Sequence, residues 1–277
     1  MRKTMVFGVG GRRLLSLLMV LTAAVAGMVL SVAKASPADK VRNEPVLHFY
    51  SEHFPPYNFE QDGVAKGINA EIVLRLCELA NVRCDIQFYP WLRALENAQK
   101  DPQGGLFSIV NTQKRQPLFQ WVGPLASSQS FFYKLKTRTD IQLNSVDDAK
   151  QFGVAVANGD IYQEQLLEQG FERGKNLLDF PTKSAPMDMF LKGKVDLVIG
   201  SEIVMPAWLA PYKANINDVE QALELRNFGN NYLALNLRVS PAVQQRLQQA
   251  LEQLKSSGEF AQIVERYRKP TANVTSN

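Results

Sequence analysis

The chain has 277 residues, 45% hydrophobic and 21% charged, with 17 glycines and 14 prolines. Those proportions exclude a disordered, collagenous or coiled-coil chain, and the length accommodates one large domain or two modest ones. The net charge of +4 is no nucleic-acid signature: residues 1–35 hold Arg2, Lys3, Arg12, Arg13 and Lys34 and no acid, so removing these five of 31 leaves 26 basic against 27 acidic residues.

Those first residues read as a cleaved export signal. A basic start precedes an apolar run from Leu14 to Leu30, and Ala33-Lys34-Ala35 puts small residues where a signal peptidase accepts them, which places the cut after Ala35. The alternative is a membrane anchor, since the run approaches the minimum for a span, although Ser16, Thr22 and Gly27 dilute it. No later segment is apolar enough to cross a bilayer, so the expected mature protein is soluble and periplasmic.

Strands and helices then alternate. Pro45–Tyr50 reads as a strand, followed by the Pro55-Pro56 loop and the Asp62-Gly63 turn. Asn69 is expected to cap a helix whose apolar positions Ile72, Val73, Leu76, Cys77 and Ala80 recur at helical spacing. Val82–Tyr89 is a strand, Leu92–Lys100 a helix and Leu106–Val110 a strand. A second series follows Pro124: strand Phe152–Ala157, helix Ile161–Gln169, strand Asn176–Phe180, helix Pro186–Lys192 and the buried strand Val195–Ile199. Ser240-Pro241 opens a helix with Val243, Leu247, Leu251 and Leu254 on one face, Gly258 ends it, and a shorter helix runs to Arg268. Such alternation is the α/β class. Two further extended segments, Ser130–Lys136 and Asn231–Leu237, are either extra sheet strands or crossovers that let the C-terminus complete the first domain around an inserted second one.

Export changes how Cys77 and Cys84 read. In an oxidising compartment two cysteines this close are expected to bridge, closing a loop that stabilises by roughly 2 to 3 kcal/mol; the alternative is a pair of buried thiols. With only His48 and His53 beside them, metal-ligand spacings are absent. No Gly-rich phosphate loop, zinc motif or nucleophile elbow is present, which lowers the expectation of an enzyme, and no cofactor is implied.

The pieces FPPYNFEQDGVAKGINAEI, LCELANVRC, GGLFSIVNTQKR, FGVAVANGD, GKVDLVIG and NYLALN, in that order and spacing, resemble the extracellular solute-binding proteins of family 3, the periplasmic receptors of polar amino-acid ABC transporters. The resemblance runs from about Val46 to Tyr267. It implies a type II periplasmic-binding-protein fold: two α/β lobes, two strand crossovers and a ligand in the cleft between them. Lobe 1 is then 36–128 plus 232–270, lobe 2 is 129–231, and 271–277 is a disordered tail. The cysteine spacing resembles the disulfide of the histidine and lysine–arginine–ornithine receptors.

The resemblance also implies roles. Arg115 matches the arginine that clamps a ligand carboxylate, a task suited to a planar fork of donors. Ser108 and Thr112 share its strand and loop, and Phe54, with Tyr57 nearby, matches the aromatic that lies against the ligand. Asn158, Gly159 and Asp160 precede a helix whose free N–H groups attract an anion, although Asp160 can simply cap it. Trp91, Arg93 and Trp121 either line the cleft or pack beneath it. Where the amino-acid receptors carry an aspartate for the ligand ammonium, this chain has Ser201 with Glu202 beside it. Either Glu202 reaches in, or Glu52 substitutes, or the ligand is not an α-amino acid. The expected partners are a small polar ligand and an ABC permease, with a membrane sensor or a cyclohexadienyl-dehydratase-like activity as alternatives; no nucleic acid is expected, and the protein reads as a monomer.

Overall fold

The computed structural model describes residues 46–226 and 228–268, all within one compact unit. The expected export signal, its cut after Ala35 and the tail at 271–277 lie outside the described residues.

The apolar runs become strands covered by helices. β1 (Leu47–Ser51) pairs in parallel with β4 (Cys84–Phe88) and with β5 (Gly104–Val110). The hairpin of β2 (Phe59–Gln61) and β3 (Val64–Lys66) and then α1 (Ile68–Leu79) lie between β1 and β4, and α2 (Trp91–Lys100) joins β4 to β5. After β6 (Phe119–Val122) the chain leaves, and it returns as β12 (Asn231–Asn236), antiparallel between β5 and β6. The resulting order is β4-β1-β5-β12-β6.

The second sheet has the order β11-β7-β10-β8-β9, from β7 (Ser130–Leu135), β8 (Val154–Ala157), β9 (Leu177–Phe180), β10 (Leu197–Gly200) and β11 (Val219–Leu225). Its helices are α3 (Ile161–Glu168), α4 (Met187–Leu191) and α5 (Met205–Leu209). β8, β9 and β10 run parallel, whereas β7 is antiparallel to β10 and β11. The two extended segments singled out in the sequence each lie inside one sheet. The crossings are made by the loops that precede them, residues 123–129 and the stretch between Leu225 and Asn231.

The C-terminal helices seal the first lobe. Leu247, Leu251 and Leu254 of α6 (Pro241–Ser256) are fully buried, each contributing roughly 1.5 to 3 kcal/mol, and α6 packs on α1. From α7 (Glu259–Arg268), the Tyr267 hydroxyl accepts from the Gly67 N–H at 2.9 Å and donates to Glu71. The first helix departs from expectation at its start: Gly67, not Asn69, holds the cap position. Its φ is +112, and a Cβ there would stand 2.6 Å from the Tyr57 carbonyl carbon, so only glycine fits. Asn69 is instead buried in the first turn, where its amide donates to Ser108 Oγ at 3.0 Å and to the Ala126 carbonyl at 3.1 Å. Cys77, in the last turn of α1, and Cys84, opening β4, form a disulfide with their Cα atoms 6.2 Å apart.

Candidate functional site

In an open sheet of parallel strands, functional groups collect beyond the carboxyl ends, and here both lobes point those ends at one place. From the first lobe, β1 delivers Glu52 and Phe54, β4 delivers Trp91, and β5 delivers Ser108 and Arg115. From the second, β8 delivers Asp160, β9 Lys183 and β10 Ser201. Between them lies a cavity of about 60 Å³, room for roughly four to six waters.

The first-lobe wall is built on a bulge. Opposite β12, Ile109 pairs with Tyr232 and Phe107 with Leu233, so Ser108 is the extra residue, with φ +60. Bulges re-aim side chains beside functional sites, and this one is pinned: Ser108 Oγ donates to Asn58 Oδ1 at 2.5 Å while accepting from Asn69. Farther on, the Thr112 hydroxyl accepts from the Arg115 N–H at 3.2 Å and holds the turn that carries the arginine. Arg115 is only 4% exposed. Its guanidinium stacks over the Trp91 ring at 5.5 Å, and Nη2 donates to Gly159 O at 3.2 Å and to Glu164 Oε1 at 2.5 Å. The side chain lies between the lobes, its guanidinium holding two groups of the second one. Its Nε and Nη1 make no hydrogen bond among the described residues, and it lines the cavity.

The second-lobe wall centres on Lys183, which no motif in the sequence marks. It sits on the turn after β9, forms an ion pair with Glu52 across the lobe boundary, and lies 3.6 Å from Asp160 Oδ2. The ammonium also faces the rings of Phe54 at 5.0 Å and Trp91 at 5.4 Å, an arrangement that attracts a cation through the ring quadrupoles. Burial works to lower the Lys183 pKa, but Asp160 and Glu52 outweigh it and raise it, so the group stays charged. Burial also pushes the Glu52 carboxyl up, with Lys183 pulling against it. Asp160 caps α3, accepting from the Ile161 N–H at 2.6 Å. Tyr162 is held up to about 12, chiefly by burial and then by Asp160; it therefore remains a neutral hydroxyl, hydrogen-bonded to Ser130.

The cavity gathers Arg115, Ser108, Phe54, Tyr57, Trp91, Asp160 and Ser201 of the expected site. The others lie elsewhere. Glu52 is buried behind Lys183 and does not reach the cavity wall. Asn158 turns into the second lobe, where its Oδ1 accepts from Gln163 at 3.3 Å. Gly159 spends both its backbone groups within the protein: its N–H donates to Gln163 Oε1 at 2.8 Å, and its carbonyl accepts from Arg115 and, at 2.7 Å, from Trp91 Nε1. Glu202 does not reach in: it is exposed and accepts from Gln221 on β11 at 3.2 Å. Of the two tryptophans left open, Trp91 lines the cavity, whereas Trp121 packs edge-on against Phe119 and Tyr232. Arg93 stacks over Tyr89 at 5.0 Å instead. Lys183 lies in DFPTKSAP, and the only sequence signal for it is its place just beyond a parallel strand. Among the described residues no cluster of His, Cys, Asp and Glu could hold a metal, and no helix is long and apolar enough to cross a membrane.

Among curated proteins the chain is 24% identical over 217 residues to one described as a putative sensor protein of Shewanella frigidimarina (strain NCIMB 400), covering 76% of this chain and 31% of that one. The chain thus spans about a third of that relative's length. Among solved structures, a histidine kinase sensor domain with similarity to periplasmic binding proteins superposes with a TM-score of 0.72 at 16% identity, covering 82% of this chain and 97% of that one. The arginine-, lysine-, histidine-binding protein ArtJ from Geobacillus stearothermophilus superposes with a TM-score of 0.67 at 18% identity, covering 80% and 95%. At these identities the likeness is one of fold, the type II periplasmic-binding-protein architecture of two lobes joined by two crossovers. The model of the bacterial extracellular solute-binding proteins, family 3, matches residues 48–270, and the chain belongs to that family.

Proposed function

We propose that the protein is a periplasmic receptor that captures a small polar carboxylate between its lobes, as a monomer, and presents the closed form to a membrane partner. The observation that carries this reading is Arg115: nearly buried at the cavity wall, stacked on Trp91, and with three of its five N–H donors unused among the described residues. A buried guanidinium with spare donors gains most from an anion that accepts them in parallel. Closure follows from the two-lobed layout, since only a closed cleft lets Arg115 and the second-lobe groups touch one ligand, and the ligand stabilises that form by its differential contacts.

The partner is a permease or a membrane sensor. The sensing role draws support from the sensor-protein relative, three times as long as the matched segment, and the sensor-domain neighbour; the transport role draws support from the amino-acid-binding neighbours. A lyase on this fold would need an acid or base free at the cavity, and the two candidates are spent: Glu202 faces solvent and Glu52 is tied to Lys183. Turnover of arogenate or prephenate would restore that reading.

The test is a thermal-shift screen of amino acids, amines and organic acids, followed by calorimetry on the wild type and Arg115→Ala. Losing one side of a buried charged pair costs roughly 2 to 5 kcal/mol, about 30- to several-thousand-fold in affinity. Glu164→Gln serves as control, because it removes the negative charge paired with the arginine and leaves the clamp and its Gly159 contact in place. Unchanged affinity in a folded Arg115→Ala protein removes the clamp.

A further inference from the structure

We propose that Lys183 is a specificity-determining residue that supplies, from within the chain, the ammonium this cleft would otherwise take from its ligand. The inference rests on the receptor reading above and concerns the same cavity. Two carboxylates and two aromatic faces surround one point beside it. Glu52 comes from the first lobe and Asp160 from the second, and Phe54 and Trp91 stand 5.0 and 5.4 Å from the same nitrogen. That is a complete cage for an alkylammonium, and the Lys183 ammonium fills it. The lysine side chain lines the cavity while Glu52 does not, so the tether shuts the strongest acceptor off from any incoming cation. Asp160 keeps one oxygen on the Ile161 N–H and turns the other toward Lys183. Ser201, which also lines the cavity, offers a hydroxyl and no charge.

The two cations therefore differ in what they leave over. Arg115 has donors to spare, whereas the carboxylates that could meet a ligand ammonium are already engaged. Glu164 is no substitute, because its carboxylate is the partner of Arg115. The pocket accordingly selects small carboxylates by their carboxylate and gains nothing from an α-ammonium. Hydroxy acids and unsubstituted acids are the ligand class it fits, and an amino acid must displace Lys183 or share its cage.

Matched pairs test this whatever the native ligand is: glycine with glycolate, L-alanine with L-lactate, L-phenylalanine with L-phenyllactate, and L-glutamate with L-2-hydroxyglutarate. Affinities are measured by calorimetry on the wild type and on Lys183→Ala. The wild type is expected to bind the hydroxy acid of its best pair at least as tightly as the amino acid, and Lys183→Ala to shift that ratio toward the amino acid by at least about tenfold. A second arm needs no carboxylate at all: millimolar n-propylammonium should raise the melting temperature of Lys183→Ala and leave the wild type unmoved. A wild type that binds an amino acid tenfold more tightly than its hydroxy acid overturns the inference and leaves the receptor reading standing. So does a folded Lys183→Ala protein with an unchanged ratio and no response to n-propylammonium. If Lys183→Ala does not fold, the wild-type ratio decides by itself. If no acid of either series binds the wild type, the receptor reading for these acids falls, and the inference falls with it.

Discussion

The two lobes meet at one cavity but are built to different standards. The first carries helices of 12, 10, 16 and 10 residues and a disulfide. The second is covered by helices of 8, 5 and 5 residues and by turns. Their cations differ in the same way. Arg115 is braced by Thr112 and Trp91 and faces the cavity with donors unspent, while Lys183 rises from a turn and has its charge compensated by Glu52, Asp160 and two rings. Position beside a cavity does not make a charge available to a ligand; what stands behind the charge decides. The long-helix lobe reads as the frame and the short-helix lobe as the part that moves onto it, a division that three perturbations should sharpen or break.

The largest effect is expected from the disulfide. Replacing Cys77 and Cys84 by serine releases a short loop between α1 and β4, and chain entropy sets the loss for such a loop at about 2 to 3 kcal/mol. The loss should be local. Hydrogen exchange should quicken over Ile68–Leu79 and Cys84–Phe88 and stay unchanged over β8 and β10, since contiguous cooperative units open separately. Equal quickening in both lobes would show that they unfold as one and would erase the distinction between frame and mover.

The same asymmetry governs what could be read from the amino-acid sequence. In the first lobe Ile72, Val73 and Leu76 recur at helical spacing and are buried, so α1 is legible, as are α2 and α6. The second lobe hides more. Val219–Leu225 reads VEQALEL, rich in good helix formers, yet it is a strand because it pairs with β7 along a sheet edge; tertiary pairing overrides propensity there. The site divides likewise. Arg115 and Phe54 stand out through a family resemblance, while Lys183 occupies a Pro- and Ser-containing turn where no periodicity operates. Its role exists only once β1 and β9 bring Glu52 and Lys183 together across 131 residues of sequence. Asn69 misled for a related reason. An asparagine at a helix start ordinarily caps it, but here the amide is recruited by Ser108 and Ala126, contacts that adjacency in sequence cannot reveal.

A smaller effect is expected at Gly159, where the lobes touch. Its φ is +70, and an added Cβ would meet Leu92 Cδ2 at 2.2 Å. Gly159→Ala should carry two separable costs. The left-handed backbone is strained in every conformation of the loop, by about 1 to 2 kcal/mol, and lowers thermal stability. The clash with Leu92 exists only when the lobes are closed, and so weakens ligand binding, by about tenfold or less because Leu92 is half-exposed and can swing aside. Adding Leu92→Ala should restore affinity and leave the melting temperature depressed. Restoration of both, or of neither, would mean that the contact between the lobes is not a closure contact.

The smallest effect belongs to the frame itself and carries a pH signature. Asp101 ends α2 and gathers three donors: the Gln103 N–H at 2.9 Å, the Tyr50 hydroxyl at 2.9 Å and His48 Nδ1 at 2.7 Å. Partial burial works to raise its carboxyl pKa, but the hydrogen bonds from Gln103, His48 and Tyr50 outweigh that and hold it below the ordinary aspartate range. A carboxylate depressed in the folded state stabilises fully above the unfolded value, near 3.9, and loses that contribution as pH falls through the folded one. Asp101→Asn keeps the shape and one acceptor oxygen, so the cost at neutral pH should be about 1 kcal/mol, or roughly 2 to 4 °C in melting temperature for a domain of this size. The gap between the two proteins should hold from neutral pH to about pH 5 and close below about pH 4. Because the network ties β1 to the end of α2, the destabilisation should again spare exchange in β8 and β10. A gap that persists undiminished at pH 3 would show that the shape of the Asp101 side chain, and not its charge, braces the frame.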